Sequence, residues 1–167
     1  FIAASTAWLI WHTNGDSGIF LWLAVVLALS VARFAVAKIL TKGGDHRERP
    51  VRSLHLLTCM SFVSGLSWTP VPLFFAPPGD GNVIGYIVFV MAGVTTGAII
   101  QSLAYWRIAI AFGAPLMLST VAMMIAEANS IAYFLAGNVA LLTLMLFRAS
   151  IRSEQSFVLS QNVAMRT

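Results

Sequence analysis

The chain has 167 residues, of which 59% are hydrophobic and only 10% are charged, and its formal net charge is +4. A soluble domain has about 25% charged residues, and a disordered chain is polar and rich in charge, so both classes are excluded. A single cysteine, Cys59, excludes an internal disulfide and a cysteine-based zinc cluster. The composition therefore predicts an integral membrane protein.

Apolar segments along the chain are candidates for membrane-spanning helices. Most are long enough to cross a ~30 Å hydrocarbon core at ~1.5 Å per residue, and they lack the alternation of a membrane β-strand. In chain order they are Phe1–Trp11, Gly18–Leu40, Ser53–Ala76, Val83–Tyr105, Ile108–Ala126 and Ser130–Phe147. The sequence predicts an all-α, polytopic membrane protein with a six-transmembrane-helix bundle over residues 1–147. Because the first segment is already apolar at Phe1, we expect the natural start to precede it.

The breaks between these segments carry turn residues. Asn14-Gly15 and the Pro-Pro-Gly-Asp-Gly-Asn stretch at 77–82 are strong turn signals. Asp16 and Asp80 lie in these turns, and Glu127 lies in a third, very short turn at Glu127–Asn129. Ordinary turn chemistry explains the three carboxylates, and a cation site is the alternative.

Lysine and arginine residues predict the orientation, because they stay on the cytoplasmic side of short loops. With six crossings, all ten fall on one side: Arg33, Lys38, Lys42, Arg47, Arg49, Arg52, Arg107, Arg148, Arg152 and Arg166. Both ends of the chain are therefore expected in the cytoplasm, and the net positive charge requires no nucleic-acid partner. Arg33 lies deepest in a helix and is expected to extend its side chain to the cytoplasmic interface.

Tryptophans near predicted helix ends favour anchoring at the membrane interface. These residues are Trp11, Trp22, Trp68 and Trp106.

The sequence carries no constellation for catalysis or metal binding. His12, His46 and His55 lack metal-ligand spacing, and Cys59 is expected to be a buried structural cysteine. We therefore expect no cofactor, no metal and no enzyme activity within this chain.

The predicted fourth and fifth helices carry small residues at helical spacing, which allow close helix packing in lipid. The GxxxG pair lies in the fourth helix, and the predicted packing residues are Gly85, Gly93, Gly97, Ala109 and Gly113. Packing within the bundle and dimerisation both remain open.

Polar side chains within the helices are few. Thr96, Gln101 and Asn138 either line a polar pocket or form structural hydrogen bonds. No ionisable residue lies near the centre of a predicted helix, which argues against ion-coupled transport.

Residues 148–167 contain neither glycine nor proline, which predicts a continuing helix. Ile151, Val158 and Met165 recur at seven residues, and Gln155 and Asn162 occupy the other seam position of a heptad. This pattern predicts a cytoplasmic exit helix that begins a dimeric coiled coil.

Four stretches resemble the MASE-type membrane input regions of bacterial diguanylate cyclases, GGDEF–EAL proteins and some sensor histidine kinases. They are Ser64–Trp68, Val90–Ala98, Ala111–Pro115 and Arg148–Asn162. The resemblance implies a homodimeric signal-input domain of the bacterial inner membrane. It also implies that an output domain for cyclic-di-GMP turnover or histidine kinase activity follows Thr167.

Two alternative functions remain open. The second is a non-catalytic accessory subunit of a larger membrane complex, and the third is a small transporter fragment. The bilayer is a partner in every case, and the sequence identifies no ligand.

Overall fold

The computed structural model describes residues 1–42, 50–102 and 105–164, with side chains described at 1–39, 53–102 and 105–156. The described residues form α-helices and no strand. The helices are α1 (Ile2–Asn14), α2 (Gly18–Lys42), α3 (Pro50–Leu66), α4 (Gly81–Gln101), α5 (Trp106–Ala126) and α6 (Ser130–Ala164), with a π-helical turn at Val71–Phe75.

Five spans among the described residues are long and apolar enough to cross a membrane: Gly18–Ile39, Ser53–Phe75, Gly81–Gln101, Trp106–Ala126 and Ser130–Ser156. Helix α1 has 13 residues and is too short by that measure. The prediction of an all-α fold is confirmed, and the apolar spans indicate a multi-pass membrane protein.

Turn chemistry ends the helices where the sequence predicts. Gly15 adopts a left-handed conformation with φ of 67°, which a residue without a Cβ tolerates, and its N–H bonds to the carbonyl of Trp11 at 2.8 Å. At the start of α4, the Asp80 carboxylate accepts hydrogen bonds from the N–H groups of Asn82 and Val83 at 3.1 and 3.2 Å. Both turns lie at the same end of the bundle, called the acidic end below.

The third span is a single apolar segment in the sequence, but it contains a break. Regular helix ends at Leu66, and a π-helical turn follows from Val71 to Phe75. Pro70 and Pro72 lie at this break, where proline removes backbone donors that a regular helix requires. Val71 and Pro72 are both buried, so the break packs inside the bundle.

Helix α5 forms the centre of the bundle. It packs against α3, α4 and α6, whereas α1 packs against α2 and α4. In the apolar window of α5, 56% of the residues are buried, against 17% in the windows of α2 and α6. Leu116, Met117 and Met124 of α5 are among the most deeply buried side chains of the core.

Helix α6 is the longest element, with 35 residues, and extends about 52 Å. It continues through Arg148 without a break and so exceeds the ~30 Å thickness of a hydrocarbon core. The end of the bundle that carries Lys38, Arg107 and Arg148 is called the basic end below.

Candidate functional site

The three acidic turns meet at the acidic end, but their carboxylates do not form a shared site. Asp16 accepts a hydrogen bond from the N–H of Gly18 at 2.8 Å, Asp80 caps α4, and Glu127 accepts from the N–H of Gly79 at 3.2 Å. Each carboxylate thus bonds to backbone. No group of three potential metal ligands occurs among the described residues.

Two tryptophans that the sequence predicts as interface anchors are instead buried between helices. Trp22 and Trp68 pack edge to face, with ring centroids 5.3 Å apart and an interplanar angle of 82°. The Nε1–H of Trp22 donates to the carbonyl of Ser67 at 2.6 Å. This pair joins α2 to the end of α3. Trp11 is exposed, as an anchor requires.

The expectation of a buried cysteine is wrong. Cys59 is a free cysteine with an exposed side chain on α3.

Close helix contacts involve some of the predicted small residues. Ala109 is fully buried. A Cβ added at Gly113 would lie 2.8 Å from Cγ2 of Thr95 on α4 and 3.3 Å from the ring of Phe147 on α6. Gly113 therefore allows α4 and α6 to approach α5.

A second close contact lies at Gly65 of α3, which is not among the predicted packing residues. A Cβ there would overlap the carbonyl oxygen of Phe112 and lie 2.9 Å from Cγ of Pro115. Gly65 stands in the Ser-Gly-Leu-Ser stretch at 64–67, without a partner glycine at i+4 that would have marked it.

The other three predicted packing glycines have open surroundings, unlike Gly113: they are Gly85, Gly93 and Gly97. A Cβ at any of these three positions would meet nothing within 4 Å. The GxxxG pair of α4 therefore makes no close helix contact among the described residues, and the dimerisation of α4 stays a prediction.

The three polar residues of the predicted pocket do not come together. The hydroxyl of Thr96 donates to the carbonyl of Ala92 in its own helix at 2.8 Å. Asn138 lies exposed on α6. Gln101 lines a groove to which neither of the others contributes.

This groove is the candidate functional site. It has a volume of about 720 Å³, within the range of small-molecule sites, and runs between α2, α4, the start of α1 and the end of α3. Its lining extends from Val26 to Ala37 on α2 and from Gly93 to Gln101 on α4. Phe112 of α5 and Trp68 also contribute to the lining, and Trp68 lies at the end farther from Gln101.

Arg33 lines the same groove and is half-buried. The expected extension of its side chain to the cytoplasmic interface stays a prediction, and the structure adds that Arg33 contributes to the groove wall. It forms no ion pair or hydrogen bond with any described residue. Sequence alone cannot assign Arg33 to a groove, because the groove depends on how α2 and α4 diverge.

The heptad positions of α6 are only partly described. Ile151 is half-buried and Gln155 is exposed, while the side chains of Val158 and Asn162, and Met165 as a whole, lie outside the described residues. Between these positions, the Glu154 carboxylate accepts a hydrogen bond from the N–H of Trp106 at 3.1 Å. This contact ties α6 to the first residue of α5.

Five of the ten basic residues also lie beyond the described side chains: Lys42, Arg47, Arg49, Arg52 and Arg166.

Comparisons with protein-family models, curated proteins and solved structures found no match to the chain. The apolar spans indicate a helical multi-pass membrane protein, and its candidate site is the groove between α2 and α4. A proposal for its function must therefore be argued from the contacts and chemistry of its own residues.

Proposed function

We propose that the chain is a membrane-embedded signal-input domain of the bacterial inner membrane, which controls a cytoplasmic output domain through α6. The observation that carries the proposal is the continuity of α6, a single helix from Ser130 to Ala164. One helix joins the bundle core to the predicted coiled-coil seam, so a change of packing in the bundle moves the seam.

The charges support the orientation of this domain. Lys38, Arg107 and Arg148 lie at the basic end, and the acidic turns lie at the other. A basic end in the cytoplasm agrees with the preference of Lys and Arg for that side. A sixth crossing, in which α1 completes a span, belongs to the same proposal.

Glu154 supplies the coupling between the bundle and the seam. Its hydrogen bond to the first N–H of α5 links α6 to the helix at the centre of the bundle. A rearrangement of α5 therefore changes the position of α6 beside Gln155. Two packings of the bundle, with a signal that favours one, would switch the output.

An insertion series in the full-length protein tests the proposal. Four residues inserted after Ser153 rotate the seam out of register, whereas seven residues preserve the heptad. We expect the four-residue insertion to abolish regulation of cyclic-di-GMP turnover or kinase autophosphorylation, and the seven-residue insertion to retain it. Equal behaviour of the two insertions would contradict the proposal, as would a full-length protein without an output domain.

An accessory subunit of a larger membrane complex is the second candidate, and Asn138 favours it. Its amide lies exposed on α6 within the apolar span, where lipid offers no hydrogen bond. A helix of another subunit would satisfy it. Native electrophoresis of gently solubilised membranes separates the candidates, because an accessory subunit migrates with a large assembly and a homodimer does not.

A further inference from the structure

The groove has the shape of a site for an extended apolar chain. Along α2 its lining runs from Val26 to Ala37, which is about 16 Å at the helical rise. The wall of the groove includes the apolar side chains of Leu27, Val94 and Ala98. The hydroxyls of Ser30 and Ser67 donate to carbonyls of their own helices at 2.8 and 2.7 Å. These two serines therefore leave the wall of the groove largely apolar.

The glycines of α4 provide the depth of the groove. Gly93 and Gly97 both line it, and a Cβ at either position would meet nothing within 4 Å. Side chains at these positions would occupy the groove, so their absence keeps it open. A ligand, rather than a neighbouring helix of this chain, fits the GxxxG face.

One end of the groove is cationic. Arg33 lies about 22 Å along α2 from Gly18, and Gln101 is the last residue of α4, so both lie toward the basic end. The guanidinium has no carboxylate partner among the described residues, although a charge inside an apolar span is costly without one. An anion held by the guanidinium, with the Gln101 amide beside it, would satisfy the charge.

The groove opens sideways toward lipid. Leu27 and Phe34 line it and are nevertheless 54% and 71% exposed, so its mouth lies on the outer face of α2. A ligand from the bilayer enters without crossing the bundle. Its headgroup at the basic end and its chain toward the middle of the span match a lipid of the leaflet on that side.

We propose that the groove binds an anionic phospholipid from this leaflet, with its phosphate on Arg33 and one acyl chain along Gly93 and Gly97. Guanidinium pairs with phosphate through charge-assisted hydrogen bonds. Selectivity comes from the net charge of the headgroup, because the quaternary ammonium of a zwitterionic lipid such as phosphatidylcholine offsets its phosphate and is repelled by Arg33. The acyl chain gains contact with the apolar wall. This binding does not depend on whether α6 controls an output domain.

Native mass spectrometry tests the proposal on the chain released from nanodiscs of equimolar phosphatidylglycerol and phosphatidylcholine with identical acyl chains. We expect about a tenfold preference for retained phosphatidylglycerol, the scale of one charged hydrogen bond. Arg33→Gln removes the preference. Arg107→Gln, which changes an exposed arginine at the same end outside the groove, keeps it.

Two further measurements separate chain binding from headgroup binding. Gly97→Leu places a side chain in the groove at a position where its Cβ meets nothing within 4 Å, and should reduce retention of both lipids. Circular dichroism checks that the bundle remains folded. Glycerol 3-phosphate, which lacks acyl chains, should not compete. The proposal is overturned if the unmodified chain retains the two lipids equally or if the two arginine variants have equal effects. It is also overturned if Gly97→Leu leaves retention unchanged or if glycerol 3-phosphate competes.

Discussion

Two glycines of the bundle have opposite surroundings, although both lie in apolar helices. Gly65 packs against the backbone of Phe112 and the ring of Pro115, so α3 crosses α5 at this point. Gly97 faces the open groove. The same residue type therefore serves close packing at one position and an empty volume at the other.

We expect Gly65→Ala to destabilise the bundle and Gly97→Ala to leave its stability unchanged or slightly higher. At Gly65 the new methyl group would force α3 away from α5, and overpacking of this kind costs about 1–3 kcal/mol. At Gly97 the methyl group meets no atom, and alanine is favoured over glycine in a helix by about 0.5–1 kcal/mol. Thermal unfolding in one detergent compares the two variants. Equal melting temperatures would contradict the contact at Gly65.

The indole of Trp22 provides a second test at the scale of single residues. Trp22→Phe keeps an aromatic ring but removes the Nε1–H that donates to the part-buried carbonyl of Ser67, and loss of such a hydrogen bond costs about 1 kcal/mol. Trp11→Phe, at an exposed position, is the control. We expect only Trp22→Phe to lower the unfolding temperature. A similar loss in both variants would mean that the interface, rather than the hydrogen bond, requires the tryptophans.

At the scale of elements, apolar length and turn residues predict the helices well. Gly18, Ser130 and Ala126 are helix boundaries both in the sequence prediction and in the structure. Pro70 and Pro72 are possible break points in the sequence, and the structure places the break at them, but the sequence does not predict the π-helical form of the turn. Helix partners were not predictable either, since these helices are apolar on all faces. The groove depends on which helices pack together, so the sequence identifies Gln101 as a polar helix residue but does not predict that it lines one groove with Arg33.

A hydrogen bond from the N–H of Trp106 to the Glu154 carboxylate joins α5 to α6, and its removal can be tested at the scale of elements. Glu154→Ala removes the acceptor for the N–H of Trp106, and loss of such a cap costs about 1 kcal/mol. We expect faster hydrogen exchange in the first turn of α5. Glu154→Gln keeps an acceptor oxygen and should stay close to the unmodified protein. Unchanged exchange in Glu154→Ala would show that α5 begins independently of α6.

At the scale of the whole molecule, α2 and α6 are the least buried spans and offer different surfaces. The groove opens beside α2, whereas α6 carries the predicted seam of a homodimer. Counting back by heptads from Gln155 reaches Arg148 and then Leu141, and counting back from Ile151 reaches Leu144. The two leucines are 61% and 62% exposed. If the predicted seam continues along α6, it reaches the apolar span, with Arg148 at the boundary between the two parts.

Cysteine cross-linking in membranes tests this continuous seam. Because Cys59 is exposed, the test begins from Cys59→Ala. In a parallel α6 pair, Leu144→Cys places two thiols at the dimer axis, so we expect an oxidised dimer on non-reducing electrophoresis. Val31→Cys on α2 is the matched control, since Val31 is 68% exposed and lies outside the seam. Equal cross-linking at both positions would reflect random collision, and cross-linking at Val31 alone would place the dimer contact on α2. Dimers through Leu144→Cys alone would join the bundles along α6, with each lateral groove left open to the bilayer.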